Sequence, residues 1–336
     1  MKICVIGCGN HSAMVHGPSY VKYAAEHPDT VLAGCCDLNW DKAQAYRDRF
    51  GFQRAYTNME QMLEAQKPDA VCVIVPEWLV CDTSIAVMER GYHVLLEKPP
   101  GLCLADTLRM AAVAEKAGVI NQVAFNRRFM PLIREFKRLI SEEGKDSLQS
   151  MIYEFYRYRR TETSFETTAI HGIDAARYIM GCDCRQVQFA YQELPQVGPG
   201  VINIRMDCEF ENGVLAQLHF NPCTGLVTER FCVNALDQSF FLRSPIWDGF
   251  DAPGELLHVK EGKTVLRLSG TDVCENQQMY LTNGFYEENR VFFECVRNGV
   301  KSDHDIRSTL QSVELAEAIR DRRGCWVKGE RNPGGR

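Results

Sequence analysis

The sequence predicts a parallel α/β domain followed by a separate α+β domain, and three observations carry that reading. Apolar strands and helical stretches alternate over the first 120 residues. A glycine turn closes the first strand. Beyond residue 125 the rhythm gives way to consecutive strands joined by hairpin turns.

The strands read at 2–6, 31–36, 70–75, 92–96 and 119–124, with helical stretches at about 13–26, 41–50, 58–66, 80–90 and 104–117. Such alternation implies parallel strands with right-handed crossovers. A helix follows at 131–143, then a long strand over 148–159 rich in Tyr, Phe and Arg, and a helix at about 168–180. Strands continue to about 268, with Asn212-Gly213 marking a hairpin, and the chain ends in helices at 285–298 and 306–322. The organisation expected is 1–122 as the first domain, 123–328 as the second, and 329–336 as a polar, frayed tail.

Composition narrows the function. A chain of 336 residues with a net charge of −6 spread over both signs offers no basic field for nucleic acid. No apolar run approaches the roughly 20 residues of a membrane span, and Met1-Lys2 enters a strand directly rather than a leader. The fifteen cysteines show no C-x-x-C pair and no metal-ligand spacing, so no metal is expected. They read as small core residues of a cytoplasmic protein.

Gly7-Cys8-Gly9-Asn10-His11-Ser12 follows the first strand and opens a helix. Gly7 permits the tight turn, Gly9 lets a pyrophosphate approach, and Ser12 stands where Gly or Ala packs helix on strand. The helix N-terminus behind Asn10 and His11 suits phosphate. Asp37 ends the second strand 25 residues beyond Ser12, placed to bind ribose hydroxyls or to cap the next helix. An acid there, with no adjacent Arg or Lys, favours NAD over NADP.

Lys98 closes an apolar strand in the run Leu95-Leu96-Glu97-Lys98-Pro99, at the end of a strand where ligands bind in open α/β sheets. Its bond to Pro99 is a candidate cis peptide. His171 and Asp174 lie three apart on a helix and share a face, a pairing suited to acid–base work near neutral pH or to a purely structural contact.

Taken in order, Gly7-Cys8-Gly9-Asn10 with His16, Glu97-Lys98-Pro99, Phe125-Asn126-Arg127-Arg128-Phe129 and His171-x-x-Asp174 resemble the Gfo/Idh/MocA family of oxidoreductases over nearly the whole chain. The resemblance implies a Rossmann domain and a large, open, mostly antiparallel sheet used for dimer or tetramer formation. It also implies nicotinamide-dependent interconversion of an alcohol and a ketone on a sugar or cyclitol. By it, Lys98 is the catalytic lysine and His171 the acid–base histidine. Glu97 and Pro76, in the loop after the third strand of that reading, flank the cofactor.

Two departures stand out. Thr167 occupies a place where inositol dehydrogenases carry aspartate, and Val75-Pro76-Glu77-Trp78-Leu79 replaces a Thr-Pro turn. Substrate-side candidates are Asn126, Arg127, Thr167, Asp174, Tyr156 and Tyr158, the last two on one face of their strand by period-two alternation. Arg157 and Arg159, on the other face, suit either an acidic sugar or, better, a solvated sheet face or an interface. Two alternatives stay open: a redox-neutral lyase or glycosidase that oxidises its sugar transiently, and a non-catalytic sensor of cofactor or sugar.

Overall fold

The computed structural model describes residues 1–144, 147–274 and 276–330, so most of the expected tail lies outside the described residues. The chain forms two compact units, Met1–Phe129 with Gly284–Glu314, and Met130–Asn283 with Leu315–Arg336.

In the first unit, β1 (Lys2–Ile6), β2 (Val31–Cys36), β3 (Arg54–Tyr56), β4 (Ala70–Val73), β5 (His93–Glu97) and β6 (Asn121–Ala124) form one sheet in the order β3-β2-β1-β4-β5-β6. Every pairing is parallel. This is the doubly wound dinucleotide-binding order, with its reversal between β1 and β4. The central strands are uninterrupted apolar runs because helices cover both faces, and Ile3–Val5, Ala70–Val73 and Val94–Leu96 are wholly buried. The crossovers are α1 (Gly17–Glu26), α2 (Trp40–Phe50), α3 (Met59–Gln66), α4 (Glu77–Met88) and α5 (Leu104–Ala117).

β3 was not foreseen, since three residues of mixed polarity give no periodic signal. The final boundary also differs from the one expected. The helix read at 285–298, observed as α10 (Phe285–Asn298), returns to the first unit rather than continuing the second. Its aromatic face explains this: Phe293 packs against Tyr20 and Tyr23 of α1 at centroid distances of 6.1 and 4.8 Å.

The second unit begins with α6 (Pro131–Glu142). It continues through the helix α7 (Glu166–Met180), the short helices α8 (Gly270–Val273) and α9 (Met279–Thr282), and the strands β7 (Leu148–Tyr156), β8 (Cys184–Glu193), β9 (Ile202–Phe210), β10 (Leu215–Asn221), β11 (Thr228–Ala235), β12 (Gln238–Arg243), β13 (Glu255–Lys260) and β14 (Lys263–Ser269). With β15 (Cys325–Val327) they form a nine-stranded sheet, β14-β13-β12-β11-β7-β10-β9-β8-β15. It is antiparallel except between β7 and β10, which run parallel. One face alternates into a core with Tyr153, Phe155, Phe210, Phe220 and Phe240.

β7 ends at Tyr156, three residues short of the expected strand, and Arg159 adopts φ 52° in the turn beyond. Tyr158 therefore leaves the strand and is exposed. Arg157 is a correction to those readings of the arginines: it is buried and paired with buried Glu229, which also accepts from the Tyr153 hydroxyl at 2.9 Å. The strand's inward alternation carries Arg157 into the core, where the carboxylate of β11 meets it.

Candidate active site

The first glycine of the phosphate turn is obligatory. Gly7 has φ 101°, and a Cβ there would lie 1.9 Å from the Ile74 carbonyl oxygen. Gly9 faces open space, where a Cβ would meet nothing within 4 Å. That open cradle, beside the helical segment opening at Asn10, fits a pyrophosphate. Asn10 is exposed, while Ser12 is buried and its Oγ donates to the Tyr46 hydroxyl at 2.9 Å, so its role is packing against α2.

Asp37 is held from two sides: its carboxylate accepts from the Cys8 N–H and the Asn39 N–H, both at 2.9 Å. The cap of α2 is Asn39, which accepts from Lys42 N–H, so the capping alternative for Asp37 does not hold. Pro76 is exposed at the start of α4.

Glu97 is the hub. It is buried at the end of β5, and its Oε1 meets Nε2 of His16 at 2.9 Å and Nε2 of His11 at 3.2 Å. Its Oε2 accepts the Lys98 N–H at 3.1 Å. Burial alone would raise the carboxyl's pKa, but the charge of His11 and the hydrogen bonds of both histidines hold it well below the usual range. Burial lowers the pKa of His16, against the pull of Glu97.

The Lys98–Pro99 bond is cis, and Lys98 is half-buried beside buried Pro99 and Pro100. Asn289 of α10 donates from Nδ2 both to the Phe285 carbonyl at 2.7 Å and toward His16 Nδ1 at 3.1 Å. The carbonyl fixes the amide, so Nδ1 of His16 is the acceptor and Nε2 carries the proton given to Glu97.

His11, His16 and Glu97 bring three ligand-type atoms within 4.8 Å of one another. A protonated Nε2 pointing at Glu97 makes this a hydrogen-bonded cluster rather than a metal centre.

Asn289 and its neighbour Glu288 were missed in the sequence. Glu288 is wholly buried, and neither of its oxygens has a hydrogen-bond partner among the described residues. Burial and the nearby charge of Glu97 raise its pKa well above the usual range, which favours the neutral acid. Nothing in a sequence 191 positions downstream of Glu97 signals either contact.

The remaining substrate-side candidates of this unit are also enclosed. Asn126 and Arg127 lie buried in the turn Asn126–Phe129, where Arg127 donates to the Asn126 side chain at 2.9 Å. The strand thiols are inert: burial pushes Cys4, Cys36 and Cys72 up to about 12.

In the second unit, α7 lies tightly on the sheet because Gly172 has no side chain. A Cβ there would come within 2.6 Å of the Phe220 and Tyr153 rings. That contact turns the neighbouring His171 to the less buried side of α7, which it shares with Thr167 one turn earlier. Thr167 Oγ1 donates to the Ser164 carbonyl at 2.9 Å. Asp174 is fully buried, with Arg177 at 3.8 Å. Tyr156 faces outward and its hydroxyl donates to Glu154 at 3.2 Å.

Residues 1–125 match the Gfo/Idh/MocA family model, described as an oxidoreductase family with an NAD-binding Rossmann fold. The match covers the first unit's sheet and its phosphate and lysine turns, and the chain is similar to that family there. Among curated relatives, the myo-inositol 2-dehydrogenase of Thermotoga maritima is 30% identical over 196 residues, covering 56% of this chain and 57% of that one. The D-glucoside 3-dehydrogenase of Escherichia coli is 30% identical over 129 residues, covering 38% of this chain and 36% of its own. The match thus spans between about a third and under two thirds of these relatives. Others carry names with NAD(+) and with NADP(+).

Solved folds agree over the full length. A levoglucosan dehydrogenase in complex with NADH and levoglucosan superposes with a TM-score of 0.82 at 17% identity, covering 98% of this chain and 100% of that one. Among the described residues, no helix is long and apolar enough to cross a membrane.

Proposed function

We propose that this chain is a member of the Gfo/Idh/MocA family and a nicotinamide-dependent dehydrogenase. It interconverts a secondary alcohol and a ketone on a sugar, cyclitol or related polyol. The observation that carries the reading is the Glu97 hub, which anchors the Lys98 turn at the carboxyl end of β5 within a sheet of dinucleotide-binding order.

Gly7, Gly9, Asn10 and His11 would hold the dinucleotide's phosphates, and Asp37 its ribose hydroxyls, with NAD preferred over NADP. Pro76, Glu97 and Lys98 would border its nicotinamide end. When bound, the dinucleotide supplies a hydride acceptor. The chain's own residues manage the proton. Neutral His171 takes it from the substrate hydroxyl, while the Lys98 ammonium donates a hydrogen bond to the developing alkoxide. Asp174 orients the histidine helix, and Thr167, Asn126, Arg127, Tyr156 and Tyr158 remain candidates for substrate contact.

A panel of free sugars and cyclitols with NAD and NADP, followed at the absorbance of the reduced nicotinamide, tests this. Turnover by wild type that is lost in Lys98→Ala and in His171→Ala supports it. Turnover undiminished in Lys98→Ala overturns the assignment.

Thr167 favours a second reading. Its hydroxyl is engaged with the Ser164 carbonyl, and position 167 itself offers no carboxylate to the histidine one turn on. A redox-neutral enzyme would cleave a glycoside without accumulating NADH, and the same assay run with glycosides separates the two.

We also propose a cytoplasmic homodimer or homotetramer, formed through the outer face of the second unit's sheet. That face exposes Ile152, Phe241 and Val265. Light scattering on the purified protein tests the oligomer.

A further inference from the structure

The helix that leaves the phosphate turn does not begin as an α-helix. Ser12–His16 forms a π-helical turn, and α1 follows it directly. Such turns are rare and recur at functional sites. Here the turn has a specific geometric effect. In an α-helix, residues five apart are separated by about 140° around the axis. With i→i+5 pairing they return to nearly the same side. His11 and His16 are five apart, and both place Nε2 on the same oxygen of Glu97.

The two histidines are not equivalent. His16 is buried and fixed in one tautomer by Asn289. The His11 side chain is 41% exposed, edge-on to Phe285 at 5.6 Å and to His16 at 5.5 Å, and reaches Glu97 from the solvent side. Glu97 in turn holds the Lys98 N–H with its other oxygen. One carboxylate therefore links the phosphate turn after β1 to the lysine turn after β5.

We propose that His11 is a positioning residue that ties the phosphate turn to the Lys98 turn and, on taking up a proton, strengthens the hold on the anionic dinucleotide. This rests on the cofactor reading given above. The ionisable groups near His11 are Glu97, His16, Glu288, Lys98 and Arg127. Glu97 at the end of β5 stays ionised, and His16 on its own turn stays neutral. Glu288 on α10 stays protonated. Lys98 and Arg127 carry fixed positive charge across this range. Protonated His11 places a cation at the mouth of an anion site, so affinity rises as pH falls.

The test is binding of NADH and NADPH to the full-length protein, by fluorescence titration at constant ionic strength between pH 5.5 and 8.5. It compares wild type with His11→Gln and His11→Leu, with histidine NMR titration alongside. Gln keeps a donor for Glu97 without the charge, and Leu removes both. Wild type should bind roughly threefold to tenfold more tightly at the acid end, the effect of one added charge at a partly exposed site. His11→Gln should lose the slope and bind at every pH no more tightly than wild type does at pH 8.5. His11→Leu should bind more weakly throughout.

A wild-type profile that is flat, or a slope unchanged in His11→Gln, overturns the inference while leaving the cofactor reading intact. Binding of neither dinucleotide at any pH overturns both.

Discussion

Two buried carboxylates, one in each unit, solve the same physical problem in opposite ways. Glu229 is sealed inside the second unit's sheet and neutralised by Arg157, with a tyrosine hydroxyl on its other oxygen. Glu97 is buried too, but its partners are two histidines and a backbone N–H, and one histidine reaches solvent. A guanidinium never gives up its proton near neutral pH, so the Glu229 site is electrically fixed. Imidazoles titrate, so the Glu97 site responds to its surroundings. The first arrangement stabilises a core; the second suits a place where charge must move.

Four experiments break or sharpen that contrast. On the role proposed for Lys98, Lys98→Ala should lower turnover by on the order of 10²–10⁴-fold while the thermal midpoint stays near wild type. A comparable loss of stability would erase the distinction.

Arg157→Ala should do the reverse. Leaving Glu229 buried without its cation costs about 3–5 kcal/mol, measured by urea unfolding, with dinucleotide affinity of the remaining folded protein unchanged. Replacing both partners with apolar residues should recover most of it.

Glu97→Gln should reduce turnover roughly tenfold to a hundredfold by loosening the Lys98 turn, with a smaller effect on dinucleotide affinity. Equal activity in the variant would show that the hub is not needed to place the lysine.

The smallest effect is the acid response. Folding lowers the pKa of His16 from 6.5 and of Glu97 from 4.5, so in both cases the unfolded chain binds more protons. Stability from His16 is present above about pH 6.5 and lost below it, and that from Glu97 is present above 4.5 and lost further down. Glu288, whose pKa folding raises, works in the opposite sense, so the test is made in Glu288→Gln: there the thermal midpoint should fall as pH drops from 7 toward 4, with proton uptake on unfolding. A midpoint that rises over this range contradicts the network.

The legible parts of this molecule were local ones. Ile3–Ile6 and Val94–Leu96 announce buried parallel strands by unbroken apolar content, and Gly7 and Gly9 announce the turn by their spacing. Lys98 was legible because a charge ended such a strand. Hidden were the features made by contacts distant in sequence. Arg157 looked like a surface residue until Glu229, 72 positions later, was seen beside it. The parallel pairing of β7 with β10 was likewise invisible, since alternation gives a strand's faces but not its neighbour. The π turn escaped because no residue type encodes it.

The hydrogen bond between Asn289 and His16 joins residues 273 positions apart. It gives the site an order of assembly. As the chain emerges from the ribosome, the first six strands are complete long before α10 exists, and domains tend to fold from the amino terminus as they appear. The partial unit can form its sheet and its phosphate turn, but His16 has no fixed tautomer until the second unit's sheet has been translated and the chain comes back. A polypeptide cut short anywhere in that sheet would carry the glycine turn and the lysine with an unfinished lock between them. Completion of the lock between the two turns thus reports that the chain has been made as far as α10.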